Sequence, residues 1–93
     1  MEFEWDPAKS ERNLRERGLS FELAEALFAG HFVEWPDTRR NYGEARILAI
    51  GLIGERVAVC IYTDRGNVRR IISLRYANRD EHDDFRKSQE RRH

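Results

Sequence analysis

Two segments, Ala45–Ile53 and Arg56–Thr63, read as strands that are apolar on both faces, and they constrain the fold more than any other stretch. In the first, Leu48, Ile50 and Leu52 oppose Ile47 and Ala49; in the second, Val57, Val59 and Ile61 oppose Ala58 and Cys60. Strands buried on both faces belong in the middle of a sheet that is covered on each side. Only Gly54-Glu55 separates them, a two-residue loop with glycine first, which closes a β-hairpin. Asp64-Arg65-Gly66-Asn67 reads as the next hairpin turn. A third strand then follows from Val68 to Ala77.

That third strand is the chemically loaded one. Residues 65–79 hold Arg65, Arg69, Arg70, Arg75 and Arg79 and no acid. Strict alternation puts Arg69, Ile71, Ser73 and Arg75 on one face, and Val68, Arg70, Ile72, Leu74 and Tyr76 on the other. An arginine fork matches phosphate oxygens, so one reading is an anion site, above all for a nucleic-acid backbone. The other is a half-buried strand whose arginines are solvated and paired with acids from elsewhere.

The cover must come from the flanking segments. Phe3 and Trp5 alternate with Glu2 and Glu4 as a short first strand. Asp6-Pro7 is an N-cap with proline at the first helical position, opening a helix that runs to about Arg17 and stops at Gly18. Leu14 is its one strongly apolar residue between Lys9 and Arg17. Either Trp5 and Leu14 hold a solvent-exposed helix, or its polar face, with Lys9 and Asn13 one turn apart, lines a site. Ser20 is read as the cap of a second helix, Phe21 to about Ala29, whose Phe21, Ala24, Leu27 and Phe28 face the core. His31–Trp35 reads as a strand halted by Pro36, and residues 37–44 as a polar loop with room to move. Asn78 caps a last helix with Glu81 as its capping-box partner. Acids crowd its start and Arg86, Lys87, Arg91 and Arg92 its end, as the helix dipole favours. Phe85 is its one large apolar anchor, which predicts loose docking.

The order strand, helix, helix, four strands, helix predicts an α+β fold in one domain, residues 1–93. Net charge is zero, so nucleic-acid binding must come from a local patch rather than from the field of the whole molecule. The lone Cys60 cannot form an internal disulfide, which fits a reducing cytoplasm. No apolar run approaches the length that spans a bilayer. His31, His82 and His93 stand apart from one another, and no His, Cys, Asp or Glu cluster has metal-ligand spacing, so neither a metal nor another cofactor is expected.

Phe3-Glu4-Trp5-Asp6-Pro7-Ala8-Lys9, then Asn13, then Gly18-Leu19-Ser20-Phe21 and Ala24, resembles the opening signature of the BrnT family, the ribonuclease toxins of BrnT–BrnA toxin–antitoxin pairs. Gly43-Glu44-Ala45-Arg46, Arg65-Gly66, and Arg70-Ile71-Ile72-Ser73-Leu74-Arg75 with Ala77 resemble its second half, so the likeness covers about residues 3 to 81. It implies a RelE-like fold: a short N-terminal strand and helix pair packed on a mainly antiparallel sheet, with a C-terminal helix. It also implies a metal-independent endoribonuclease that inhibits translation in the cytoplasm. The implied partner is a BrnA-like antitoxin, which alone contacts operator DNA, in a heterotetramer that would contain a toxin homodimer. Two residues depart from the family pattern. Arg17 stands where many members have histidine, and Phe85 where a tyrosine would be chemically useful.

Metal-free RNA cleavage needs charge stabilisation at the phosphate above all. Arg65 and Arg75 are the first candidates and Arg70 the third. Ser73 is a candidate to orient a phosphate oxygen, Lys9 to supply charge or a proton, and Glu44 to act as a base. Arg69, Arg79 and Asn13 are candidates for holding the RNA. The alternative is a non-catalytic module that uses the same patch to bind nucleic acid or an acidic partner.

Overall fold

A computed structural model describes residues 1–91; Arg92 and His93, named above as part of a helix end and as a terminal histidine, lie outside the described residues. The elements are β1 (Glu2–Glu4), α1 (Pro7–Arg17), a 3-10 turn (Phe21–Leu23), α2 (Ala24–Ala29), β2 (Phe32–Pro36), β3 (Ile47–Ile53), β4 (Arg56–Arg65), β5 (Val68–Tyr76) and α3 (Arg79–Glu90). The strands form one sheet in the order β1-β5-β4-β3-β2, antiparallel except for the edge pair β1–β5. The α+β expectation holds, and the two strands apolar on both faces are internal. Glycines at positive φ, Gly54 and Gly66 (both 61°), each start a two-residue loop whose second residue has negative φ, the turn that suits strand twist. No helix among the described residues is long and apolar enough to cross a membrane.

Each face of the sheet has its own core. On one, Leu19, Phe21, Ala24 and Leu27 from the helix-pair region pack on Ala49, Ala58, Cys60, Tyr62, Ile71 and Leu74. On the other, Phe85 of α3 packs on Leu48, Ile50, Val57, Val59 and Ile61. Burial pushes the Cys60 thiol up to about 12, as befits a core residue.

Four expectations need correction. Leu14 does not anchor α1: it is 50% exposed, and the buried residue of that helix is Ser10. Hydrogen bonds hold α1 in its place. The Phe21 amide donates to Ser10 Oγ (2.8 Å), and Asn13 Nδ2 donates to the Leu19 and Leu74 carbonyls (2.7 and 2.8 Å). Ser20 accordingly makes no side-chain cap bond, and the segment after it begins as a 3-10 turn. The last helix is tied at three points rather than by Phe85 alone. Glu81 grips Arg75, and His31 Nε2 lies 3.1 Å from Ser88 Oγ. Its capping box between Asn78 and Glu81 is formed as expected.

The largest correction concerns β5. Opposite β4, Tyr62 pairs with Ile71 but Ile61 pairs with Ser73, so Ile72 is an extra residue. Such a bulge shifts the alternation of side chains beyond it. Ser73 stays with Ile61, and Arg75 with Val59, on the α3 face. Arg70, opposite Thr63, joins them there, while Arg69, opposite Asp64, lies on the helix-pair face.

Candidate nucleic-acid interface

The bulge therefore groups Arg70, Ser73 and Arg75, and the register adds Arg65 at the hairpin tip to the same face. From the level of Arg65 to Arg75 the row runs ~20 Å at the rise of a strand. Each arginine has a carboxylate from another segment: Glu44 for Arg65 (3.2 Å), Glu4 for Arg70 (3.7 Å) and Glu81 for Arg75 (2.6 Å). The acid-free stretch is thus neutralised in space, as the second reading of this strand anticipated, and a row of arginine is compatible with zero net charge.

These pairs differ in kind. Arg70–Glu4 is long and open to solvent, where ion pairs are weak. Arg75–Glu81 is bidentate, with Nη1 on Oε1 and Nη2 on Oε2. The Glu81 carboxylate also accepts the Asn78 amide, and its side chain is 15% exposed. Arg75 pulls the Glu81 carboxyl below its ordinary value, outweighing burial, and Glu81 raises Arg75 in turn. The Nε–H of Arg75 and an Nη2 hydrogen remain as donors for an anion on the open side. Arg65, then Arg46, holds the Glu44 carboxyl below its usual value. Glu44 is thus ionised near neutral pH, but it sits at the Arg65 end of the row and does not meet Arg75 at one phosphate.

Arg69 is engaged otherwise. Its Nε and Nη2 donate to the two Asp64 oxygens (2.9 and 3.0 Å), and its guanidinium lies over the rings of Tyr62 (4.0 Å) and Phe28 (4.7 Å). It seals the edge of the helix-pair core with its charge satisfied. Tyr62, whose hydroxyl bonds to Glu34, is raised above its ordinary pKa chiefly by burial. Arg79 is exposed in the first turn of α3.

Lys9 and Asn13 line the same groove. With Arg12, Glu16 and Arg17 they front a groove of about 400 Å³ that meets β5 at Ile72 and Ser73. Asn13 has its amide donors committed to backbone carbonyls, so its part is to fix α1 against β5. Ser73 belongs to both groove and row and joins them. Phe85 is 1% exposed; a tyrosine would carry its hydroxyl from the same buried ring, so the departure at 85 removes no side chain from the row.

Sequence reading missed Asp37 and Arg39. Asp37 is buried, and Arg39 Nε and Nη2 grip its two oxygens (2.8 and 3.0 Å), with the Arg39 amide and the Tyr42 hydroxyl as further donors. The polar loop is thus pinned at its start. The Arg39 guanidinium also lies near enough to act electrostatically on Arg75 and Glu81. The signal available was an acid directly after the strand-ending Pro36, followed two residues on by arginine. The Arg39 hydrogen bond lowers Asp37 from 3.8 to about 2. A depressed carboxyl contributes stability that is complete above about pH 4 and is lost as pH falls toward 2. Since Arg39 is 65% exposed and solvent screens the pair, the share is on the order of 1–2 kcal/mol. An acid titration followed by circular dichroism should show Asp37→Asn to be less stable than the parent at pH 6, with the difference shrinking toward pH 2. An undiminished difference at pH 2 would refute the linkage.

Among the described residues, no three His, Cys, Asp or Glu side chains gather as a metal ligand set. The family model for the ribonuclease toxin BrnT of type II toxin–antitoxin systems matches residues 5–81, from just after β1 through the groove and the row to the first turn of α3. The chain belongs to the BrnT family. Ribonuclease activity and an antitoxin partner come with membership of this BrnT toxin family, and the α+β architecture is compatible with a RelE-like toxin. A search of the curated proteins finds no match to the chain.

Proposed function

We propose that this BrnT-family toxin cleaves RNA without a metal, by directing the 2′-hydroxyl of the RNA at its own adjacent phosphorus. The alignment of Arg70, Ser73 and Arg75 on one sheet face by the Ile72 bulge carries this reading. As the 2′-hydroxyl gives up its proton to solvent water, attack forms the 2′-O–P bond and a phosphorane with an added negative charge. The P–O5′ bond then breaks, leaving a 2′,3′-cyclic phosphate, and the departing 5′-oxygen takes up a proton to become a hydroxyl. Arg75, held by Glu81 with Nε–H still available, meets the developing charge, and Arg70 supports it once phosphate displaces the weakly held Glu4. Ser73 orients a phosphate oxygen. Lys9, across the groove from Ser73, supplies positive charge or the proton for the leaving oxygen. Arg65, some 20 Å along the strand, holds a flanking phosphate. The substrate is cellular RNA in the cytoplasm, translation fails as it is cut, and a DNA-binding antitoxin neutralises the toxin.

Two observations test this together. Induction of the toxin alone should arrest growth, and co-expression of its neighbouring antitoxin should relieve the arrest. The purified toxin should cut RNA in excess EDTA and leave cyclic phosphate ends. Cleavage that vanishes in EDTA and returns with magnesium would overturn the mechanism, and growth without arrest would overturn the toxin reading.

A further inference from the structure

Helix α1 is not seated by an apolar stripe. An amphipathic helix on a sheet turns its apolar stripe inward. This one seats itself by Ser10 and Asn13, and its exposed Lys9, Arg12, Glu16 and Arg17, which with Asn13 make a stripe at three- and four-residue spacing, line a groove at the edge of β5. Its leucine, Leu14, is left half exposed. Three cations and one carboxylate therefore line a concavity of about 400 Å³ in a chain whose net charge is zero.

The edge they face is open because β1 pairs with β5 only from Val68 to Arg70. Past that point, among the described residues, no strand of the sheet lies beside β5 on this side. A neighbouring strand is not what the groove is made to receive, for Asn13 already occupies the Leu74 carbonyl. Ser73 pairs with Ile61 on the row's face and also lines the groove. A polyanion lying along Arg65, Arg70 and Arg75 reaches the groove at Ser73 without leaving positive charge.

Resting on the ribonuclease reading above, we infer that Arg12 and Arg17 bind the backbone phosphate of an RNA nucleotide adjacent to the one held at Arg75, so that the strand turns round the β5 edge into the α1 groove. Arg17 acts in this chain as a phosphate ligand. Glu16, between them, opposes the same anion.

The probe is an eight-nucleotide 2′-O-methyl RNA, which lacks the attacking hydroxyl and so reports binding alone. Its dissociation constant is measured across a salt series. For single strands each phosphate contact contributes about 0.7 to the slope of log affinity against log salt. The double variant R12A/R17A removes that one phosphate contact, so it should flatten the slope by about 0.7 and weaken binding on the order of tenfold at 50 mM salt. Glu16→Gln should tighten binding, and Arg15→Ala, outside the groove on the same helix, should match the parent. An R12A/R17A protein that is folded by circular dichroism and binds with the parental affinity and slope would overturn the groove assignment. So would a loss confined to antitoxin binding. A parent protein that neither binds nor cuts RNA would instead remove the ribonuclease reading on which the inference rests.

Discussion

Arg75→Ala should lower RNA cleavage by about 10²–10³, the usual loss when one preorganised donor to a developing oxyanion is removed. The structure adds a stability effect. Arg75 donates two bonds to Glu81, so its removal strips the best partners from a mostly buried carboxylate. Glu81 keeps the Asn78 amide, which limits the cost to about 1–2 kcal/mol. Thermal melts and single-turnover cleavage should therefore both change, but cleavage far more. Arg75→Lys restores a charge without the fork that can hold Glu81 and a phosphate together, and should recover little activity. A folded Arg75→Ala protein that cuts RNA at the parental rate would remove Arg75 from the site.

Phe85→Ala should be among the most destabilising single changes, at about 3–5 kcal/mol for a buried aromatic cut to a methyl group. The ring packs in the core on the α3 face and lies tilted against the His31 ring, with centroids 5.7 Å apart. Without it, α3 keeps Glu81–Arg75 and Ser88–His31 as its side-chain ties among the described residues. Local detachment should precede global unfolding, because a helix gains most of its stability from packing. Hydrogen exchange should show residues 79–90 losing protection in Phe85→Ala before β3 and β4. Phe85→Leu, which refills most of the volume, should lose much less. Equal stability of Phe85→Ala and the parent would contradict the placement of α3.

What could be read from the sequence was local. Gly54 and Gly66 specify their hairpins within a few residues, Asp6 and Asn78 cap helices over a span of three, and the doubly apolar β3 and β4 announce a central position. What escaped reading depends on partners far apart along the chain. Whether β5 carries a bulge is decided by its pairing with β4, and nothing in Arg70-Ile71-Ile72-Ser73 marks Ile72 as the extra residue. Strict alternation therefore put Arg69 with Arg75 and left Arg70 on the other face. Glu4 meets Arg70 only because β1 returns parallel to β5, and Ser10 caps the segment that Ser20 was expected to cap. The candidate residues were legible as chemistry, while their grouping required the register.

The grouping is the central claim, and the arginine side chains report it directly. In a titration with a 2′-O-methyl RNA followed by nuclear magnetic resonance of the arginine Nε–H groups, Arg65, Arg70 and Arg75 should shift together. Arg69, locked between Asp64, Tyr62 and Phe28 on the opposite face, should stay in place. Movement of Arg69 with Arg75, and not of Arg70, would contradict the account.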